Sequence, residues 1–251
     1  MDATKELQMH IKDLARRAES RGTYTYSAFL SPAELSDVLA RERELIPVPY
    51  TLWGGSEVAE RKLICFGSEA WFGYPPVWPV CVVAIAPAAE RFAEELSHRD
   101  YLGALMSLGI ERELTGDIVI RGKFAWLYCL DSIADFLCEN LTSVRHTAVQ
   151  CHVETGEVPA LAPQFQILRL NVASERIDAV TAAFLGKSRS SIGELFSAGR
   201  VFVNSRAVAD GSKLLREGDI LSVRGFGKAA YDGIDGTSKK GRSYAVLRKY
   251  I

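Results

Sequence analysis

Between Val80 and Glu154 the apolar pattern keeps changing its period, and that order of changes leaves few folds open. "VCVVAIAP" is a short, nearly continuous apolar run of the kind a buried strand shows. The spacing then predicts a helix over roughly Arg99–Leu108, with Gly109 as its C-cap. "DIVI" and "FAWLYCL" alternate on either side of Arg121-Gly122-Lys123 and read as a hairpin. "SIADFLCENL" returns to helical spacing, with Ile133, Phe136, Leu137 and Leu141 on one face. "TAVQCHVE" closes the series as a strand. The predicted order is βαββαβ, the split ferredoxin-like arrangement.

The flanks differ in character. The first segment is helical from about Lys5 to Glu19, with Leu7, Ile11, Leu14 and Ala18 at helical spacing. A second helix starts at "SPAEL": Ser31 is placed to cap, Pro32 sits at the first helical position and Glu34 completes a capping box. Pro47 and Pro49 end it. "RKLICF" reads as a short buried strand. Gly54-Gly55 makes either a turn or a phosphate-binding loop. Pro159 and Pro163 in "GEVPALAPQ" mark a linker. The fold class is therefore α+β in three parts: an N-terminal α/β domain (1–76), a central ferredoxin-like domain (77–163) and a C-terminal module (172–251) with a β extension.

Ferredoxin-like βαββαβ units also serve as RNA-recognition domains, and "RGKFAWLY" loosely resembles their aromatic strand, with Lys123 as an extra residue. Phe124, Trp126 and Tyr128 share one strand face because side chains alternate. Such a face either packs as core or stacks bases, and the fold alone does not choose.

Charge separates the two ends of the chain. From Gln166 to Ile251 there are 15 Lys and Arg against 8 Asp and Glu, which leaves 15 against 23 for the rest of the 251 residues. An acidic front and a basic back point the C-terminal module at a polyanion. That module reads as two helices and a small sheet. Ser174 is placed to cap a helix through Phe184, with Ile177, Val180 and Phe184 inward and Gly186 ending it. Ser188 is placed to cap a second, with Ile192, Leu195 and Phe196 inward and Gly199 ending it. "RVFVN", "SRAV" and "ILSVRG" are short strands, with "REGD" a turn. Lys187 and Arg189 flank the start of the second helix, where the macrodipole penalises a cation by roughly 0.3–1 kcal/mol. An anion at that end, taken by helix amides and by the hydroxyls of Ser188 and Ser190, would offset that cost. Arg200 follows the helix and Arg206 the next strand. Lys239, Lys240 and Arg242 form a second basic group at a hairpin tip, with Arg248 and Lys249 beyond it.

"RIDAVTAAFLGKSRSSIGELFSAGRVFVNSRAV…LREGDILSV" resembles the S4 RNA-binding domain. Arg176-Ile177-Asp178, Ser188-Arg189, Gly199 with Val201, Val203 and Asn204, and Gly218-Asp219 match its pattern in order. Ser205 stands where Gly is common and Gly193 where Ala is common. "LWGGSEVAERKLICF", "HRDYLGALMSLGIERELTGDIVI" and the tail "RGFGKAAYDGIDGTSKKGRSYAVLRKYI" extend the resemblance to the YlmH family of bacterial S4-domain proteins, whose plant and cyanobacterial relatives are photosystem II S4 domain proteins. The resemblance implies an RNA-recognition-like central domain and an S4 domain. It also implies association with ribosomal RNA on the large ribosomal subunit carrying peptidyl-tRNA, in quality control of stalled translation, and in some members cell division. The RNA-binding residues expected are Arg176, Lys187, Ser188, Arg189, Ser190, Arg200, Asn204, Arg206, Lys213, Lys239, Lys240 and Arg242. A second contact is expected at Arg99, Arg121 and Lys123.

No catalytic constellation stands out. His98-Arg99-Asp100 lacks the Arg-Leu-Asp setting of pseudouridine synthases and the downstream Asn of a kinase loop, and Asp100 is better placed as a helix cap. The four histidines (His10, His98, His146, His152) are scattered. The five cysteines (Cys65, Cys81, Cys129, Cys138, Cys151) contain no CxxC pair, which argues against zinc and suits free thiols in a reducing cytosol. The charged N-terminus is no secretory signal, and no apolar run reaches the ~18 residues that span a bilayer. The expectation is a cytoplasmic RNA-binding protein without catalysis, metal, cofactor or small-molecule substrate. An RNA-modifying enzyme with an unrecognised catalytic domain and a division scaffold remain alternatives.

Overall fold

The computed structural model describes residues 3–156, 164–237 and 241–250. The chain divides into two compact units, one of Met1–Glu34 with Arg41–Ala162 and one of Leu35–Ala40 with Pro163–Ile251. Both mix helix with antiparallel sheet.

The first unit opens with α1 (Ala3–Arg21) and β1 (Thr25–Tyr26). Helix α2 (Pro32–Ala40) starts from the expected capping box: the Ser31 amide donates to Glu34 Oε2 at 2.8 Å and the Glu34 amide to Ser31 Oγ at 3.3 Å. It stops at Ala40, and α3 (Glu42–Leu45) follows as a separate turn, so the break comes before the prolines. β2 (Tyr50–Trp53) and β3 (Leu63–Phe66) complete a small sheet of order β1-β3-β2, with every residue of β3 buried. α4 (Glu69–Phe72) leads to the central strands.

β4 (Val80–Pro87), α5 (His98–Ser107), β5 (Thr115–Arg121), β6 (Phe124–Leu130), α6 (Ala134–Asn140), β7 (Ser143–Val144) and β8 (Thr147–Val153) follow in chain order. Their sheet runs β5-β6-β4-β8-β7, all neighbours antiparallel. Val83, Ile85, Ala125, Leu127 and Cys129 on one sheet face pack with Tyr101 and Leu105 of α5 and Leu137 of α6. Two details correct the sequence reading. The cap of α5 is Ser97, and Asp100 is its reciprocal partner three residues on. In α6 the buried stripe is Ala134 and Leu137 followed by Leu141, while Phe136 lies 46% exposed. Ile133, in the 3-10 turn over Asp131–Ile133 that precedes α6, packs against the same core.

Arg61, only 9% exposed, ties the N-terminal segment to this sheet. Its Nε donates to the Thr115 carbonyl at 2.9 Å, and its Nη2 to those of Phe29 at 2.8 Å and Arg112 at 3.0 Å. Gly54-Gly55 is a packing feature. A Cβ on Gly55 would lie 2.1 Å from the Tyr128 ring, and one on Gly54 2.1 Å from the Arg61 carbonyl. That closeness excludes a phosphate from the loop's inner side.

The second unit holds β9 (Phe165–Val172), α7 (Ile177–Leu185), α8 (Arg189–Ser197), β10 (Val201–Val203), β11 (Arg206–Ala207), β12 (Ile220–Val223), β13 (Gly227–Thr237) and β14 (Ser243–Tyr250). The sheet order is β11-β10-β12-β13-β14-β9. Val180, Ile192, Leu195, Val201, Leu221 and Tyr231 share its core. Ser174 is not the cap of α7. The Ile177 and Asp178 amides instead donate to the carbonyls of Lys213 and Gly211, so a distant loop satisfies the helix start. The linker expected between Pro159 and Pro163 lies outside the described residues.

Candidate nucleic-acid interface

Two cations of the second unit, Lys187 and Arg189, flank the start of α8. Its first turn contains no acidic residue and opens with Arg189. Ser188 caps it, accepting from the Ser191 amide at 3.2 Å, and the Ser188 and Ser190 hydroxyls lie 2.9 Å apart. The two hydroxyls therefore act as a linked pair at the positive end of the helix dipole. At the other end, Gly199 takes φ of 60°, the Gly199 amide donates to Phe196 O and the Arg200 amide to Leu195 O. This closure of the helix turns Arg200 back toward β12.

The feature that sequence reasoning missed is Phe226. The ring is 40% exposed in the turn between β12 and β13. Lys187 Nζ lies over it at 4.7 Å from the centroid, and the Arg200 guanidinium at 5.6 Å. Arg200 Nη2 also donates to the Arg224 carbonyl at 2.8 Å. Two like charges from opposite ends of α8 are thus gathered on one ring, whose quadrupole offsets part of their repulsion. The only signal in the sequence was an aromatic between two glycines, "RGFG".

The other expected residues are placed as follows. Arg176 forms a two-pronged pair with Asp178, Nε to Oδ1 at 3.1 Å and Nη2 to Oδ2 at 2.8 Å. That hydrogen bonding holds the Asp178 carboxyl below the usual range, with the nearby Arg189 charge adding to it. Asn204 sits in the β10–β11 turn with φ of 50°, donates to Asp219 Oδ1 at 2.7 Å and accepts from the Ile220 amide at 2.9 Å. Arg206 Nη1 donates to the Leu39 carbonyl at 2.7 Å within the same unit. Lys213 and Arg242 are exposed, while Lys239 and Lys240 lie outside the described residues. In the first unit, Arg99 lies exposed in the first turn of α5. Arg121 and Lys123 sit at the β5–β6 hairpin, where Lys123 Nζ donates to the Glu90 carbonyl at 2.8 Å. Of the aromatic face, Tyr128 is 4% exposed and Phe124 38%, with Trp126 between them in burial.

Among the described residues no group of three or more His, Cys, Asp or Glu could hold a metal ion. Among them, no helix is long and apolar enough to cross a membrane.

Residues 80–157 match the family model described as "Putative RNA-binding domain in YlmH". The ribosome-associated protein quality control protein P2 of Bacillus subtilis (strain 168) is 36% identical over 153 residues. That match spans 61% of this chain and 59% of the relative, about three fifths of its length. A solved structure, the cell division protein ylmH from Streptococcus pneumoniae, aligns with a TM-score of 0.49 at 12% identity. It covers 62% of this chain and 93% of that one.

Proposed function

We propose that this chain is a member of the YlmH family and a non-enzymatic RNA-binding protein of the cytosol acting in ribosome-associated quality control. Its target is structured RNA of the large ribosomal subunit carrying peptidyl-tRNA. The second unit serves as an S4 module and the first unit's central sheet as a ferredoxin-like domain. Supporting the latter is the order of its four long strands, second-third-first-fourth, in an antiparallel sheet.

One observation carries the reading: Lys187 and Arg200 share the Phe226 ring, and the first turn of α8 carries Arg189 and no acid of its own. Stability alone does not favour cations there, whereas a phosphate is held by charge and by amides together. Binding through such contacts follows backbone shape and weakens with salt.

The test is sedimentation of the full chain from lysate on sucrose gradients at low and high salt, beside Arg189→Glu/Arg200→Glu. Co-migration with the large subunit, weakened by salt and lost in the variant at an unchanged melting temperature, is the expected result. Parent protein at the top of the low-salt gradient would remove the ribosome from the account.

A further inference from the structure

We propose that Cys81 and Cys129 form a reversible dithiol–disulfide site in the first unit, one that a hydroperoxide oxidises and a small thiol reduces. The inference stands apart from the RNA reading, since it concerns the core side of the central sheet and a different chemistry.

Cys81 in β4 and Cys129 in β6 are direct cross-strand partners. Both lie on the core side of the sheet, in line with Val83 and Leu127, the next pair on that face. Opposed residues of an antiparallel pair have Cα atoms about 4.5–5.5 Å apart. A disulfide bridges Cα atoms about 4.4–6.8 Å apart. The backbone is therefore already at bonding separation, and only side-chain torsions need change. The two Sγ atoms lie 3.6 Å apart, in contact and unbonded. The pair sits at the end of the ladder. One residue further on, Val80 pairs with Leu130, and the Asp131 amide donates to the Pro79 carbonyl at 3.1 Å. On its other side Cys129 pairs with Thr115, where the β5–β6 register shifts between Thr115 and Ile118. A strand end and a disrupted ladder thus meet at this pair.

The two thiols divide into attacker and resolver. Cys81 is half-buried, whereas Cys129 is 0% exposed. The buried sulfur keeps its proton and donates it to Cys81. That hydrogen bond holds the Cys81 thiol below its ordinary pKa, against burial and the carboxylates of Asp131 and Asp135. The same contact, together with burial, pushes Cys129 up. A sulfur with thiolate character, some exposure and a resolving cysteine at hand is what a peroxide-reactive site needs. The other thiols lack that combination. Burial pushes Cys65 up to about 11 and Cys151 up to about 12, and the Cys151 thiol donates to the Leu141 carbonyl at 3.5 Å. Burial also raises Cys138 in α6.

With hydrogen peroxide the chemistry runs in two steps. The Cys81 sulfur attacks one peroxide oxygen: the S–O bond forms, the O–O bond breaks, and the thiol proton leaves with the second oxygen as water. The Cys129 sulfur then attacks the sulfenic sulfur: the S–S bond forms, the S–O bond breaks, and the hydroxyl leaves with the Cys129 proton as water. The two thiols give up two electrons, and one peroxide becomes two waters. Reversal by exchange takes two equivalents of a small thiol, which leave as their own disulfide. In a reducing compartment such a bridge is transient and forms in response to oxidant.

The experiment treats the reduced, folded full chain with a modest excess of hydrogen peroxide, then counts thiols in denaturant and maps peptides by mass. Expected is the loss of two of the five thiols, with Cys81 and Cys129 joined in one peptide pair. The circular dichroism spectrum stays unchanged, because the backbone need not move, and dithiothreitol restores all five thiols. In Cys129→Ala the sulfenic acid of Cys81 persists and is captured by dimedone at Cys81. Cys81→Ala abolishes the bridge and leaves Cys129 a thiol, while Cys138→Ala leaves the bridge intact. Survival of all five thiols, a bridge through Cys138 or Cys151 in its place, or oxidation only with loss of the folded spectrum would each overturn the inference. The peptide map of the parent decides by itself, whether or not a variant folds. None of these outcomes bears on co-sedimentation of the parent with ribosomes, so the two proposals fail separately.

Discussion

Replacing Arg61 by Met tests how the N-terminal segment is held to the central sheet. The methionine keeps most of the aliphatic stem and removes the guanidinium. Of its three carbonyl acceptors, two retain other donors. Arg112 Nη1 reaches Thr115 O at 2.8 Å, and Thr115 Oγ1 reaches Arg112 O at 3.1 Å. Only the Phe29 carbonyl is left without a donor among the described residues. An orphaned buried acceptor costs about 1–3 kcal/mol, and two charge-assisted bonds are lost besides. Against this, burial strips water from the guanidinium and lowers its pKa, and the variant recovers part of that cost. The expected net loss is about 2–4 kcal/mol. For a unit of this size that is a fall of roughly 4–16 °C in melting temperature. Calorimetry and urea unfolding followed by circular dichroism read it directly. A loss below about 0.5 kcal/mol would show that the three carbonyls do not depend on Arg61, and the reasoning would fail. Arg61→Lys should lie between, because one ammonium cannot copy a forked donor.

Gly193 stands in the middle of α8, and a Cβ there would meet nothing within 4 Å. Gly193→Ala should therefore stabilise the second unit by about 0.8–1 kcal/mol, seen as a raised urea midpoint at constant slope; no gain would contradict a regular helix at that position. The Arg176 hydrogen bonds hold the folded-state pKa of Asp178 below its unfolded value, so this pair stabilises fully above about pH 4 and loses its contribution as pH falls through the folded pKa. Arg176→Met should be less stable than the parent at pH 7, with the gap closing below about pH 4 in urea titrations. A gap that stays constant down to pH 2 would count against the linkage.

Much of the local structure could be read from short-range patterns. The Ser31 box, the Ser188 cap and the left-handed Gly186 and Gly199 each depend on neighbours a few residues away. Even the odd Ser205 is explained locally: φ of 66° puts it where glycine is easiest, at the second position of the β10–β11 turn. Local patterns mislead most where distant chain decides. Ser174 looked like a cap because no pattern announces that residues 211–213 will satisfy the start of α7. Strand β9 carries no local signal of its own, since its partner over the full length is β14 near the far end of the chain.

The candidate site divides in the same way. The sequence alone placed Lys187, Ser188 and Arg189 together at a helix start, because adjacency along the chain is adjacency in space there. It also fixed the alternation that sets Phe124 and Trp126 opposite the core-facing residues of β6. Tertiary structure decided the rest. It brought Phe226 under Lys187 and Arg200, turned Arg176 inward to Asp178, and committed Asn204 to Asp219. It also buried Tyr128 while leaving Phe124 open. The physical reason is that charge and periodicity are properties of a segment, whereas which side chain stays exposed depends on what the remainder of the chain packs over it.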